Sequence, residues 1–276
     1  MGTAVNVNLK RIANLCAVLH ARSRTTSLTV ENIEMVPCGY KTDNTPPTEG
    51  WRPLDCMIRQ EEHFWLRASF VAPPVKEGKR YLLSVETTVK GWDATNPQGI
   101  IYLNGEMTCG LDTNHTEAFL EPDTAYDLHV YFYTGDITRP ILPKVSVIEE
   151  DMETRDLYFD FKVPYHALEI LNENTVEFQS SLSVLEQAAN LLDLRTSGPD
   201  FYASVKECRA FLDREFYNGL CTPKGKPIVH AIGHTHIDVE WKWHRAQTRE
   251  KTQRSMSTAV ALMKQYPEYK FTLTQP

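Results

Sequence analysis

The sequence predicts a multidomain α+β protein: an N-terminal β-sandwich, jelly-roll-like, a helical linker, and then the first β-α-β unit of a parallel, barrel-like α/β domain. Three observations predict it. Short β-prone runs separated by turn residues fill the first half, a helical period takes over from about residue 160, and an apolar strand pattern returns at Pro227. The expected divisions are 1–155 for the β-rich domain with a short N-terminal helix, 156–225 for the helical linker and 226–276 for the start of the α/β domain. At 276 residues the chain exceeds the usual size of a single core, which fits more than one domain.

The elements follow in order. A short helix is expected over 7–21. Strands are expected over 65–71 (WLRASFV) and 81–86 (YLLSVE), broken by Pro73-Pro74 and Gly78, and again over 99–103 (GIIYL) and 126–132 (YDLHVYF). Asn104-Gly105 directly after 99–103 is the strongest hairpin signal, because both residues tolerate positive φ. Several short strands at this spacing suggest a sandwich or jelly roll. Leu182, Leu185, Ala189 and Leu192 then form one helical stripe. Phe201, Val205, Cys208, Leu212 and Phe216 form a second, ending at Asn218-Gly219 as a C-terminal cap. Last, an apolar strand over 227–233 (PIVHAIG) leads through a helix carrying Met256, Val260 and Met263 on one face to a strand over 270–274 (KFTLT). A strand, crossover helix and strand within roughly fifty residues opens a parallel α/β fold, where ligands collect at the carboxyl ends of strands.

Composition narrows the function classes. Hydrophobic residues at 42%, aromatics at 10% and charged residues at 24% describe a globular chain. A net charge of -7 without a Lys/Arg-rich run argues against nucleic acid and anionic membranes as partners. The first residues lack a continuous apolar core, since Asn8, Lys10, Arg11 and Asn14 interrupt it, so no signal peptide or membrane span is expected and the location read from the sequence is cytoplasmic. Six scattered cysteines without a CxxC pair read as reduced thiols.

The chemistry concentrates in His234-Thr235-His236-Ile237-Asp238-Val239-Glu240-Trp241, immediately after the apolar strand. On extended backbone, residues two apart share a face, so His234, His236 and Asp238 can converge. Imidazole and carboxylate are ordinary zinc ligands, but a catalytic zinc site wants about four ligands with one position open, and one strand end cannot complete that shell. The plainer reading has Asp238 capping the following helix and the histidines bonded to backbone. Trp241 offers an apolar face for a sugar ring, whereas Trp243 is assigned to the core, Glu240 to a structural role and His244 to the start of the helix. Asp112 and His115, in the run 110–115 (GLDTNH), read either as an Asx-bonded turn or as a loop reaching the active site.

The segment 232–243, followed by Arg249-Glu250-Lys251, Tyr266-Pro267-Glu268-Tyr269 and 271–275 (FTLTQ), resembles the start of the catalytic domain of glycoside hydrolase family 38 α-mannosidases, with the family's HxHxD-x-x-W signature. The run from Gly91-Trp92-Asp93 through 102–106 (YLNGE) to 110–117 (GLDTNHTE) resembles the β-rich domain preceding it in cytosolic and bacterial members. The resemblance implies that His236 and Asp238 are zinc ligands, that Trp241 lies under the bound mannose, and that His234 is the motif's first, non-ligating histidine. It further implies a retaining mechanism with a carboxylate nucleophile and a second carboxyl group as acid then base, about 5–5.5 Å apart. The family's nucleophile and remaining zinc ligands lie beyond the equivalent of Pro276. No catalytic residue is therefore assigned within these residues, the Zn2+ site is expected to be incomplete, and the 276 residues are expected to be inactive alone. The implied partners are a mannose-containing oligosaccharide and, at full length, further copies of the same chain.

Two other readings stand beside this one. Another metal-dependent hydrolase can carry an HxH at a strand end, although the HxHxDH pattern of metallo-β-lactamases fails at Val239. A non-catalytic carbohydrate-binding or oligomerisation module could be built on the β-rich domain.

Overall fold

The computed structural model describes residues 6–40, 45–87, 97–222 and 229–273. The chain divides into two compact units, Met1–Thr25 with Lys76–Arg80 and Glu149–Ile228, and Thr26–Val75 with Tyr81–Ile148 and Val229–Pro276.

The first unit is helical. Helix α1 (Val7–Arg22) starts where the Asn6 side chain accepts the amides of Asn8 and Leu9, and it ends on His20 and Arg22, which suit the negative end of the helix dipole. Helix α2 (Met152–Ile170) starts at Asp151, whose carboxylate accepts the Thr154 amide at 2.8 Å, and carries Pro164 inside it. Helix α3 (Val176–Leu191) is capped by Thr175, and α4 (Gly198–Leu212) continues into a π-helical stretch, Asp213–Leu220. Ile12, Leu19, Leu157, Phe161, Phe178, Leu185, Val205, Cys208 and Leu212 make one core from all four helices. Both expected stripes are helical, but helix begins at Met152, earlier than the period change near 160 indicates. Gly219 does not act as the expected cap, because the helical turns run on to Leu220 and Cys221 takes the capping position.

The second unit holds two antiparallel sheets. Strands β1 (Arg24–Thr29), β2 (Glu34–Cys38), β3 (Arg52–Pro53), β4 (His63–Val71), β5 (Lys79–Glu86), β6 (Gln98–Leu103), β7 (Glu106–Leu111), β8 (Glu117–Leu120), β9 (Ala125–Tyr133) and β10 (Lys144–Asp151) form sheets ordered β3-β2-β4-β9-β6-β7 and β1-β10-β5-β8. One core lies between them, with Phe64, Leu66, Leu128 and Val130 from the larger sheet and Tyr81, Leu83, Val145 and Val147 from the smaller. Asn104 (φ 52°) and Gly105 (φ 81°) make the two-residue hairpin joining β6 to β7, with Leu103 opposite Glu106. The larger sheet is buried on its outer face as well, where Trp65, Tyr102 and Tyr131 form a second, aromatic cluster.

After these sheets the chain forms β11 (Gly233–Thr235), helix α5 (Arg245–Gln265) and β12 (Phe271–Leu273), and β11 pairs in parallel with β12. Among the described residues there is this parallel pair and no barrel. The strand expected over 227–233 is corrected here. Residues 227 and 228 lie outside the described residues, 229–232 are not strand, and Val229 and Ile232 are 85% and 59% exposed. An apolar strand of that kind is stable when neighbours cover it, and β11 has one partner. Two residues of the apolar face expected on this helix lie toward solvent. Val260 and Met263 are exposed at 46% and 39%, while Glu250, Arg254, Thr258 and Ala261 face the larger sheet. Among the described residues no helix is long and apolar enough to cross a membrane.

Candidate active site

The motif begins on β11 and leaves it. Gly233, His234 and Thr235 lie in register with Phe271, Thr272 and Leu273, and a Cβ at Gly233 would collide with the Tyr269 hydroxyl. His234 is exposed on this strand. Beyond it, His236 Nε2 and Asp238 Oδ1 lie 3.0 Å apart, both side chains open to solvent. Two ligand atoms on one tetrahedral zinc stand about 3.3 Å apart, given bonds of about 2.0–2.1 Å, so this pair fits half of such a shell. Among the described residues, no group of three His, Cys, Asp or Glu side chains is gathered for a metal. Asp238 does not cap α5; His244 occupies the N-cap position, without a side-chain capping bond.

Between the pair and α5 the chain reverses through Glu240, a non-glycine residue at φ 54°. Thr248, one turn into α5, holds this loop: its hydroxyl accepts the Glu240 amide at 3.3 Å and the Trp243 indole N–H at 3.1 Å. Arg245 Nε donates to Glu240 Oε1 at 2.9 Å, an ion pair open to solvent. Trp241 is 66% exposed and meets Trp243 edge-on at 5.9 Å. Lys242 lies over Trp241 and Lys251 over Trp243, at 5.2 and 4.3 Å. Burial, with the Arg254 charge beside it, lowers the Lys251 pKa to about 8. A shallow depression of about 590 Å3 opens here, lined by Glu240, Trp243, His244, Arg245 and Ala246.

Polar bonds seat α5 on the larger sheet, and the sequence does not announce them. Tyr131 donates to the buried Glu250 carboxylate at 2.5 Å and accepts from His63 Nδ1 at 2.6 Å. Burial lowers the pKa of His63. Arg254 donates to Gln98 at 2.5 Å, and Thr258 accepts the Gly110 amide at 3.0 Å. At Gly110 a Cβ would fall on Arg254 Cγ and stand 2.7 Å from the Arg254 carbonyl oxygen, so the helix rests on bare strand backbone. Charged and hydroxyl residues four apart in a helix (Glu250, Arg254, Thr258) read as a solvated face until the sheet that receives them is known.

Asp112 and His115 form an Asx turn. Asp112 Oδ1 accepts the amides of Asn114 and His115 and faces His115 Nδ1 at 3.0 Å. Burial pushes the Asp112 carboxyl up, but the His115 hydrogen bond, the Asn114 amide and the Arg254 charge outweigh it and hold the pKa below the usual carboxylate value. His115 is raised in return, chiefly by its bond to Asp112. The turn approaches α5 through Arg254, whose Nε lies 3.9 Å from Asp112 Oδ2.

Similar proteins give this geometry a lineage. Residues 226–276 match the family model described as glycosyl hydrolases family 38 N-terminal domain. The alpha-mannosidase of Saccharomyces cerevisiae is 32% identical over 143 residues, covering 49% of this chain and 13% of that protein. Alpha-mannosidase 2C1 of Mus musculus is 30% identical over 132 residues, covering 48% and 12%. The chain therefore spans about an eighth of the length of these curated relatives. A solved structure titled a putative beta-galactosidase from Bacteroides fragilis aligns over 46% of this chain and 23% of its own, at 12% identity and a TM-score of 0.32, too low to carry an argument.

The relatives are glycoside hydrolases, a class of enzymes. Within that class the similarity is to glycosyl hydrolase family 38 over residues 226–276, and to the α-mannosidases of yeast and mouse over about half of this chain.

Proposed function

We propose that the whole protein removes terminal α-linked mannose from oligosaccharides, with retention of configuration and with zinc. The observation that carries this is the His236–Asp238 pair, its donor atoms 3.0 Å apart just beyond β11, three residues before an exposed Trp241. His236 and Asp238 would hold the ion, and His234 would stay outside its shell. Bound zinc would supply Lewis-acid polarisation and a template for sugar hydroxyls. Trp241 presents an indole face to the axial C–H groups of the mannose ring, displacing the flexible Lys242 ammonium. The loop through Glu240, pinned by Thr248 and Arg245, keeps ring and ligand pair in one arrangement before substrate arrives, which lowers the ordering cost of binding.

In this reading β11, α5 and β12 open a parallel, barrel-like catalytic domain. The protein works in the cytoplasm, where its six free cysteines stay reduced. The nucleophile and the other zinc ligands come from outside these 276 residues, which alone do not hydrolyse an aryl α-mannoside. A sugar-binding β layer has less support, because Trp65, Tyr102 and Tyr131 are buried on the outer face of the larger sheet. The test is zinc analysis and aryl α-mannoside hydrolysis by the longest natural protein carrying this chain. Loss of both in His236→Ala supports the proposal, and full activity in that variant sinks it.

A further inference from the structure

Within the helical unit, α1 and α2 leave a depression of about 200 Å3, none of whose lining residues belongs to the candidate active site. Ala13, Cys16, Ala17 and His20 are spaced as one face of α1, and Tyr158, Lys162, Tyr165 and His166 as one face of α2. Three short side chains on one helix beside four long ones on the other leave the space between them. Both faces are held by the core that Ile12, Leu19, Leu157 and Phe161 share. The charge of this lining has one sign. No Asp or Glu is part of it, and burial keeps the Cys16 thiol neutral, its pKa pushed up to about 11. Lys162 carries its ammonium over the Tyr158 ring at 5.0 Å and toward the Phe159 ring at 5.8 Å, and among the described residues it has no carboxylate partner. The Tyr158 hydroxyl makes no hydrogen bond among the described residues either. His20 adds an imidazole from α1, its ring 5.1 Å from that of Tyr158. Glu169, outside the lining, is already engaged by the Tyr165 hydroxyl at 2.8 Å and His166 Nδ1 at 2.7 Å.

We propose that this depression binds a small phosphate-bearing ligand, whose oxygens accept from Lys162 Nζ and the Tyr158 hydroxyl. An uncommitted ammonium beside an uncommitted phenol is a donor pair for an anion, and hydrogen bonds between ionised partners are the stronger kind. A cation would be repelled by Lys162, and a neutral ring would leave its charge unanswered. Phosphate suits the place better than carboxylate, because its tetrahedral oxygens reach donors on both helices at once. The space is below the range of about 300–1,000 Å3 common for drug-sized ligands, which favours a compact one. This inference does not depend on the α-mannosidase reading.

The experiment is isothermal titration calorimetry of the longest natural protein carrying this chain, with inorganic phosphate and, separately, with a hexose 6-phosphate, at constant ionic strength in chloride. Lys162→Met, Lys162→Arg and Tyr158→Phe are compared with wild type. Lys162 and Tyr158 are only partly buried, and Tyr158→Phe keeps the ring, so the fold survives at least in that variant. Saturable binding by the wild type is expected, weakened about tenfold in Lys162→Met and about threefold in Tyr158→Phe, the scales of a charged and a neutral hydrogen bond. Lys162→Arg, which keeps the charge, should retain most of the affinity. Tighter binding of the hexose 6-phosphate would identify the ligand as a phosphate ester, and equal affinity would identify it as free phosphate. Absence of binding of both by the wild type, or unchanged affinity in Lys162→Met and Tyr158→Phe, overturns the proposal.

Discussion

Gly110 and Asp112 show how much of the second unit depends on single positions. Gly110→Ala would drive a methyl group into the Arg254 carbonyl, and because that contact is with backbone, α5 must lift from β7. The expected loss is about 1–3 kcal/mol, the usual cost of overpacking, read by denaturant unfolding of the chain. Asp112 and His115 make a pH-dependent contribution whose sign follows from their shifts. The raised His115 pKa stabilises fully below its ordinary value of 6.5, and the effect is lost as pH rises through the folded value. The lowered Asp112 pKa stabilises above its ordinary 3.8, and the effect is lost as pH falls through the folded value. The pair is therefore at full strength between 3.8 and 6.5. Asp112→Asn keeps the turn's acceptor but removes the charge. It should flatten the stability–pH curve around that window at a cost below about 1 kcal/mol, since both side chains are partly solvated.

At the scale of elements, α5 is seated by polar bonds. Tyr131→Phe takes one donor from the buried Glu250 carboxylate, and a loss of about 1–3 kcal/mol is expected in unfolding experiments. A double-mutant cycle with Glu250→Gln should be non-additive, because the two groups share one bond; additive losses would count against the seat. The same helix marks the limit of what the sequence makes legible. Strands β4, β5, β6 and β9, the Asn104-Gly105 hairpin and the apolar stripes of α3 and α4 are readable, because each is set by local alternation, turn chemistry or period. Helix α2 is obscured at its start by the acidic run 149–153 and interrupted by Pro164, so its beginning at Met152 does not show. The direction in which α5 faces is decided by Gly110, Gln98 and Tyr131, far away in sequence, and periodicity alone does not name them. In the candidate site, the convergence of His236 and Asp238 is legible from their spacing. The Thr248 anchor and the depression at Trp243 are not, because a threonine in a helix and a tryptophan after a turn carry no ligand signature by themselves.

For the whole molecule, the similarity of residues 226–276 to glycosyl hydrolase family 38 and the His236–Asp238 pair support one proposed chemistry. Exposed apolar side chains, among them Val229, Ile232, Trp241 and Leu273, lie within the segment that matches the family model. Side chains this exposed bury little apolar surface within the chain. Replacing Val260, exposed on the same segment, with Lys should then change the stability of the chain by less than about 0.5 kcal/mol in denaturant unfolding, as at an ordinary surface position. In the proposed function the chemistry turns on His236 and Asp238 holding a zinc ion. The most direct test is metal content measured together with aryl α-mannoside hydrolysis in the longest natural protein carrying this chain, for wild type and for His236→Ala. Zinc is expected in the wild type, with loss of both zinc and hydrolysis in the variant. Hydrolysis that survives both the substitution and removal of zinc by a chelator would contradict that role.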